Sequence, residues 1–310
     1  MVNERWVQNL LVSSLNLQKG ERLVIMTDVP LESQGGTVCR AALDMGAADA
    51  LQVVLPDTGA LFALVPSHLV QGVQQADVVI AMRSDLDLSR EDAHLRAAMA
   101  TFRAAGRGRW ASLAQISPEV LAHELSADLR PVAAEAKRLA AQLRAGSALR
   151  LTSPAGTDLR LRYGGRPIHV EDGRIRKRGQ VGNLPGGEVY VAPLETSAEG
   201  RLVVDLCLGD LELDEPVTLT FAGGRVVGLE GGEAVEELRE RLADDPWAWT
   251  IGEFGLGANP HIRLSGLVAL DEKRLGTAHV ALGANTAFGG ENPAETHYDC
   301  VISEAQVEIS

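Results

Sequence analysis

Leu23-Val24-Ile25-Met26-Thr27, followed at once by Asp28-Val29-Pro30-Leu31, decides the first half of the fold. Five residues with no polar alternation read as a strand buried on both faces, which is the habit of parallel sheets covered by helices. Upstream, Trp6, Leu10, Leu11 and Leu15 recur at helical spacing and Gly20 offers a stop, so an amphipathic helix is expected near residues 3–18. Downstream the texture alternates: helix over 36–45, strand over 51–55, helix over 69–75, strand over 76–81, helix over roughly 91–105, strand over 110–113. Short apolar strands alternating with helices predict a Rossmann-like parallel sheet. The turn after the first strand has no GxGxxG and no P-loop lysine occurs anywhere, so no nucleotide cofactor is expected.

Residues 117–145 are rich in Ala, Arg, Leu and Glu and predict one long helix or two interrupted at Pro131, with a domain boundary near Gly146. From Leu149 onward, alternating runs such as Asp158-Leu159-Arg160-Leu161-Arg162-Tyr163 and Val217-Thr218-Leu219-Thr220-Phe221 are separated by glycine pairs. These are hairpin signals, with a single helix expected over 233–242. The fold class expected is therefore α/β, with a Rossmann-like domain over 1–146 and a β-rich α+β, metal-binding catalytic domain over 147–310.

With 310 residues, the chain is long enough for two ordinary cores. A formal net charge of -13 repels phosphate backbones and anionic lipid, and the only short basic cluster runs from Arg174 to Arg178, so neither nucleic acid nor membrane is an expected partner. Cys39, Cys207 and Cys300 are odd in number and in no metal-binding spacing, which suits reduced, buried thiols. No apolar run approaches the roughly 18 residues of a membrane span. A cytoplasmic location is expected.

The chemistry concentrates near the end of the chain. Side chains at i and i+2 of a strand share a face, so in His297-Tyr298-Asp299 the imidazole and carboxylate point the same way. His279 lies in Thr277-Ala278-His279-Val280-Ala281-Leu282, a strand whose reverse side is apolar. Glu188 opens a strand directly after Gly186-Gly187. Trp247, Trp249, Ile251 and Glu253 alternate as one stripe that ends in an acid. A carboxylate at the end of such a stripe needs a cation or a hydrogen-bonding partner. Together Glu188, Glu253, His279, His297 and Asp299 offer a hard N/O ligand set for Zn, Mn, Co or Fe in the +2 state. Glu272 is a candidate acid/base. His68, His94, His123, His169 and His261 lack comparable surroundings.

"LPGGEVYVAP" around Glu188, "GEFGLGANP" around Glu253, "DEKRLGTAHVALGANTAFGG" around His279 and the closing "HYD" resemble, in this order, the aminopeptidase T family of metallopeptidases. The resemblance covers residues 180–303 well and the first 145 by layout alone. It implies two divalent ions (Zn, Co or Mn) at the five matching positions, Glu253 and Glu272 as catalytic acids, a small peptide substrate cut at its N-terminus, and a homodimer. Two departures stand out: Thr286 occupies the place of a family tyrosine, and Glu272 lies seven rather than five residues before His279. The 2,5-dihydroxypyridine dioxygenases are similar to the same family and need only two histidines and one carboxylate around Fe(II), which His279, His297 and Asp299 would supply. Peptide hydrolysis is the leading expectation, because both Glu188 and Glu253 are present, and ring cleavage is the alternative.

Overall fold

The structure is a computed structural model that describes residues 5–55, 67–84 and 93–310. Residues 3 and 4 of the expected first helix, residues 91 and 92 of the fourth and the side chain of His94 lie outside the described residues. The architecture is mixed α/β, with one parallel sheet and two antiparallel sheets.

The chain forms two compact units, residues 1–129 with 173–186, and residues 130–172 with 187–310. The first holds the parallel sheet, whose strands run in the order Asp49–Val54, Arg22–Thr27, Val78–Met82, Arg109–Leu113 and Val181–Asn183. Four of these follow the expected apolar runs. The fifth is only three residues long, contains Gly182 and alternates exposed and buried, so no apolar run announces it. It is brought in from the middle of the chain and pairs parallel to Arg109–Leu113. Trp110 is fully buried against the edge of Phe102, with ring centroids 5.6 Å apart. The first helix also departs from the simple reading: α-helical Arg5–Gln8 passes into a π-helical turn, Asn9–Ser14, in which Leu15 N–H reaches back to the Leu10 carbonyl. Asn16, at φ 49°, ends it, ahead of Gly20. Asp28, at the end of the first strand, accepts hydrogen bonds of 2.7 Å from both the backbone N–H and the hydroxyl of Ser84.

The second unit holds two six-stranded antiparallel sheets. One runs Arg225–Glu230, Val217–Ala222, Glu199–Val204, Asp158–Arg162, Ala148–Thr152, Gln306–Ile309. The other, the site sheet, runs Cys207–Leu208, His297–Ile302, Ala278–Gly283, Ile251–Gly257, Glu188–Val191, His169–Glu171. Leu149, Leu159, Leu202 and Leu219 of the first sheet share one core with Val191, Phe254, Val280 and Cys300 of the second. Helices Leu129–Arg144 and Glu233–Arg241 add Ala140, Leu143, Val235 and Leu238. Burial of these branched aliphatics stabilises the unit by about 25 cal/mol per Å² of apolar surface removed from water. All three cysteines are free and buried, and among the described residues no helix is long and apolar enough to cross a membrane.

One sequence reading fails here for a local reason. The stripe Trp247, Trp249, Ile251, Glu253 does not share a face, because the pairing shifts register between Ile251 and Glu253 and the bulge at Gly252 reverses the alternation. Ile251 turns into the core with Phe254, while Glu253 stays on the opposite face. Phe254 is fully buried at the centre of the site sheet. Its truncation to Ala should cost about 3–5 kcal/mol, read as a lower denaturation midpoint with an unchanged denaturant slope.

Candidate metal centre

The pleat of the site sheet sorts its side chains. Val189, Val191, Phe254, Val280, Leu282, Tyr298 and Cys300 face the core, so their neighbours Glu188, Tyr190, Glu253, His279, His297 and Asp299 face the other way. Register brings them level across strands. Glu253 is opposite Ala281, which is opposite Asp299; Gly255 lies between Tyr190 and His279. Gly255 has to be glycine, because a Cβ there would lie 2.1 Å from both Cε1 and Nε2 of His279. The imidazole crosses the bare backbone and reaches the middle of the sheet.

All five proposed ligands converge. Glu188, Glu253 and His279 form one group whose ligating atoms lie within 4.8 Å of one another, and Glu253, His297 and Asp299 form a second. Glu272 joins His279 and Asp299 in a third. His279 Nε2 lies 3.0 Å from Glu253 Oε1 and 3.6 Å from Glu188 Oε2. His297 Nε2 lies 3.4 Å from Asp299 Oδ1 and 3.6 Å from Glu253 Oε2. His297 Nδ1–H donates to the Ala284 carbonyl at 2.8 Å, so in the neutral ring the Nε2 lone pair faces two carboxylates. A lone pair so placed needs a proton or a metal ion in front of it. A carbonyl-oriented imidazole with its other nitrogen aimed at carboxylates, as at His297, is the arrangement of a metal-binding histidine, and the donor set fits a divalent cation.

The electrostatics follow from this crowding. Burial works to lower the pKa of both histidines, but Glu253, Glu272 and Glu188 outweigh it at His279 and raise it to about 9. Asp299 and Glu253 do the same at His297, raising it to about 10. Burial pushes the Asp299 carboxyl up, and His297, with His279 and Lys273, more than reverses that and holds it low. Glu272 is pushed up to about 7 by burial, against the pull of Lys273.

Lys273 is the residue that sequence reading missed. Its side chain is 3 % exposed, and Nζ sits 3.1 Å from Glu188 Oε1 and in contact with Glu272 Oε1. A buried lysine among carboxylates is legible only once the carboxylates are known to meet. Asp271, next to Glu272, is also buried; it accepts from the N–H and hydroxyl of Ser265 and the N–H of Gly266.

An aromatic wall adjoins the cradle. His169 stacks on Tyr190 with centroids 5.0 Å apart, and Phe288 meets Tyr190 and His297 edge-on at 5.5 and 5.9 Å. His169, passed over in the sequence, donates from Nε2 to the Phe288 carbonyl at 2.9 Å. The loop that carries Phe288 is tied down by Glu195, which accepts from Asn285 Nδ2 at 3.0 Å and Glu291 N–H at 2.7 Å and pairs with Arg166 at 2.7 Å. Thr286, where the peptidase resemblance called for a tyrosine, is exposed on that loop.

A parallel-sheet unit together with a unit of antiparallel sheets defines a mixed α/β fold that wild-type AmpT from Thermus thermophilus shares: 19% identity, TM-score 0.71, 98% of this chain and 94% of that one. The fold relation to aminopeptidase T therefore stands. The family is another one. NicX, 2,5-dihydroxypyridine 5,6-dioxygenase, matches residues 2–310, and the chain belongs to that family. A 2,5-dihydroxypyridine 5,6-dioxygenase from Pseudomonas putida is 31% identical over 216 residues, 64% of this chain; the alignment spans 60% of that relative's length. A solved 2,5-dihydroxypyridine dioxygenase structure from Pseudomonas putida superposes with TM-score 0.76 at 20% identity, covering 99% of this chain and 93% of that one. These findings overturn the expectation of a metallo-aminopeptidase, a hydrolase acting on peptides. The ligand positions on which that expectation rested do meet in this chain, whereas the position of the peptidase tyrosine is an exposed threonine.

Because both imidazoles are held protonated at pH 7 and must give up the Nε2 proton to bind metal, ion uptake should release about two protons per chain. Apparent affinity should rise with pH and level off above about 10, where His297 is already neutral. Calorimetric titration with Mn(II) in buffers of different ionisation enthalpy reads this directly. Gly255→Ala should displace His279 and weaken ion binding about 10–100-fold, measured in the same titration.

Proposed function

We propose that this chain is an oxygenase that opens the ring of a dihydroxylated pyridine, with 2,5-dihydroxypyridine the first compound to try, at a single Fe(II) held by His279, His297 and the carboxylates of Glu253 and Asp299. The observation that supports it most is the convergence of two imidazoles and carboxylates on one sheet face beside an aromatic wall, in a chain of this family. Two histidines with carboxylate leave coordination positions open for substrate and O2. When bound, Fe(II) supplies the one-electron chemistry by which O2 attacks a closed-shell ring.

The chain's own residues do the rest. Tyr190 and Phe288 offer ring surfaces at right angles, with an interplanar angle of 83°, against which a flat heterocycle can stack or abut. Burial raises the Tyr190 phenol further, with Glu171, Glu253 and Glu188 adding to it, so this ring stays neutral beside the carboxylates. Glu272, with its carboxyl near 7, is matched to taking a hydroxyl proton from the substrate at neutral pH. Lys273 holds Glu272 and Glu188 in place, and the Ala284 carbonyl fixes the His297 ring. His169, engaged with the Phe288 carbonyl, orients the wall.

Protein loaded with Fe(II) without oxygen should consume O2 on addition of 2,5-dihydroxypyridine and bleach its aromatic absorbance. It should release no amine from aminoacyl anilides with Zn, Mn or Co. His297→Ala and Asp299→Ala should each lower oxygen uptake by about 100-fold or more, while Phe288→Ala should chiefly raise KM. Anilide hydrolysis without oxygen uptake would reject the reading.

A further inference from the structure

Lys273 is placed by its backbone as firmly as any ligand. Its N–H bonds the Leu270 carbonyl at 3.0 Å, and its own carbonyl accepts from Ala258 and Asn259 at 3.1 and 2.8 Å. From that fixed point the side chain runs inward until Nζ meets Glu188 and Glu272. The ligand groups of the cradle divide accordingly. Among the described residues Lys273 forms ion pairs with Glu188 and Glu272, members of two of the groups, whereas Glu253 and Asp299 of the third group are paired with His297.

The charges point the same way. The Lys273 ammonium already occupies the space beside Glu188 and Glu272, and a second dication placed there would lie against it and be repelled. Removal of the ammonium leaves those two carboxylates without their cation.

We propose that Lys273 stands in for a second metal ion: its ammonium neutralises Glu188 and Glu272, confines the cradle to one divalent cation near Glu253, His297 and Asp299, and so sets the site's nuclearity. This deepens the single-ion part of the oxygenase reading, but its test counts ions and not turnovers, so failure of one does not imply failure of the other.

The test uses Mn(II), a redox-silent probe, with the full chain. After titration and removal of free metal, wild type should retain one ion per chain, Lys273→Arg one, and Lys273→Met two. The paired ions of Lys273→Met should show a spin-coupled paramagnetic resonance spectrum absent from the other two. Two ions in wild type, or one in folded Lys273→Met, would overturn the proposal. If Lys273→Met is unfolded without metal, its recovery decides the matter. Cooperative refolding with two ions bound supports the substitution of an ion for the ammonium. Refolding at one ion, or none at saturating Mn(II), rejects it.

Discussion

Three carboxylates on one face of a sheet, with that of Glu272 brought against them from the turn after helix Val268–Asp271, cannot be kept close together and out of water without positive charge between them. That constraint governs the second unit. It accounts for the lysine at 3 % exposure, for the two imidazoles turned so that Nε2 points inward, and for the bare backbone of Gly255 beneath one of them. The hydrophobic core on the reverse of the same sheet gives the charges a rigid base, because each strand alternates between the two tasks. One-residue slippage would exchange them, burying carboxylates among valines.

The sequence made much of this legible because the period of two is strict wherever the sheet is regular. His279 with its apolar reverse side, and His297 two residues from Asp299, could be assigned to a common face without any structure. The period failed where backbone departed from the ladder. The bulge at Gly252 turned Ile251 into the core and left Glu253 outside it, so Glu253 arrived at the cradle although the stripe from which it was inferred does not exist. Val181–Asn183 was invisible for a different reason: three residues with one buried side chain carry too little pattern to be read as a strand. Lys273 and His169 stayed hidden because their significance depends on neighbours more than eighty residues away in one case and on the loop around Phe288 in the other.

The choice between hydrolysis and ring cleavage shows a deeper limit. A metal cradle constrains ligands, and the same ligands at the same spacing serve both chemistries. The family of the whole chain separates the two readings, and the features of this chain that no ligand motif includes lie beside the cradle: an exposed Thr286, an ammonium in contact with two of the acids, and a wall built from Tyr190, His169 and Phe288. None of these is a ligand position. A motif built around ligands therefore passes over them.

The brief return of the chain to the parallel sheet at Val181–Asn183 has a consequence for how the protein can be divided. Neither compact unit is a continuous piece of sequence. A fragment ending at residue 129 would lack the partner strand of Arg109–Leu113 and present an unpaired edge to other molecules. A fragment beginning at residue 130 would carry that strand with no sheet to receive it. The two halves are thus bound to be made together, and insertion, deletion or shuffling within 173–186 acts on both at once. A gene encoding such a chain cannot lend out either half as a module.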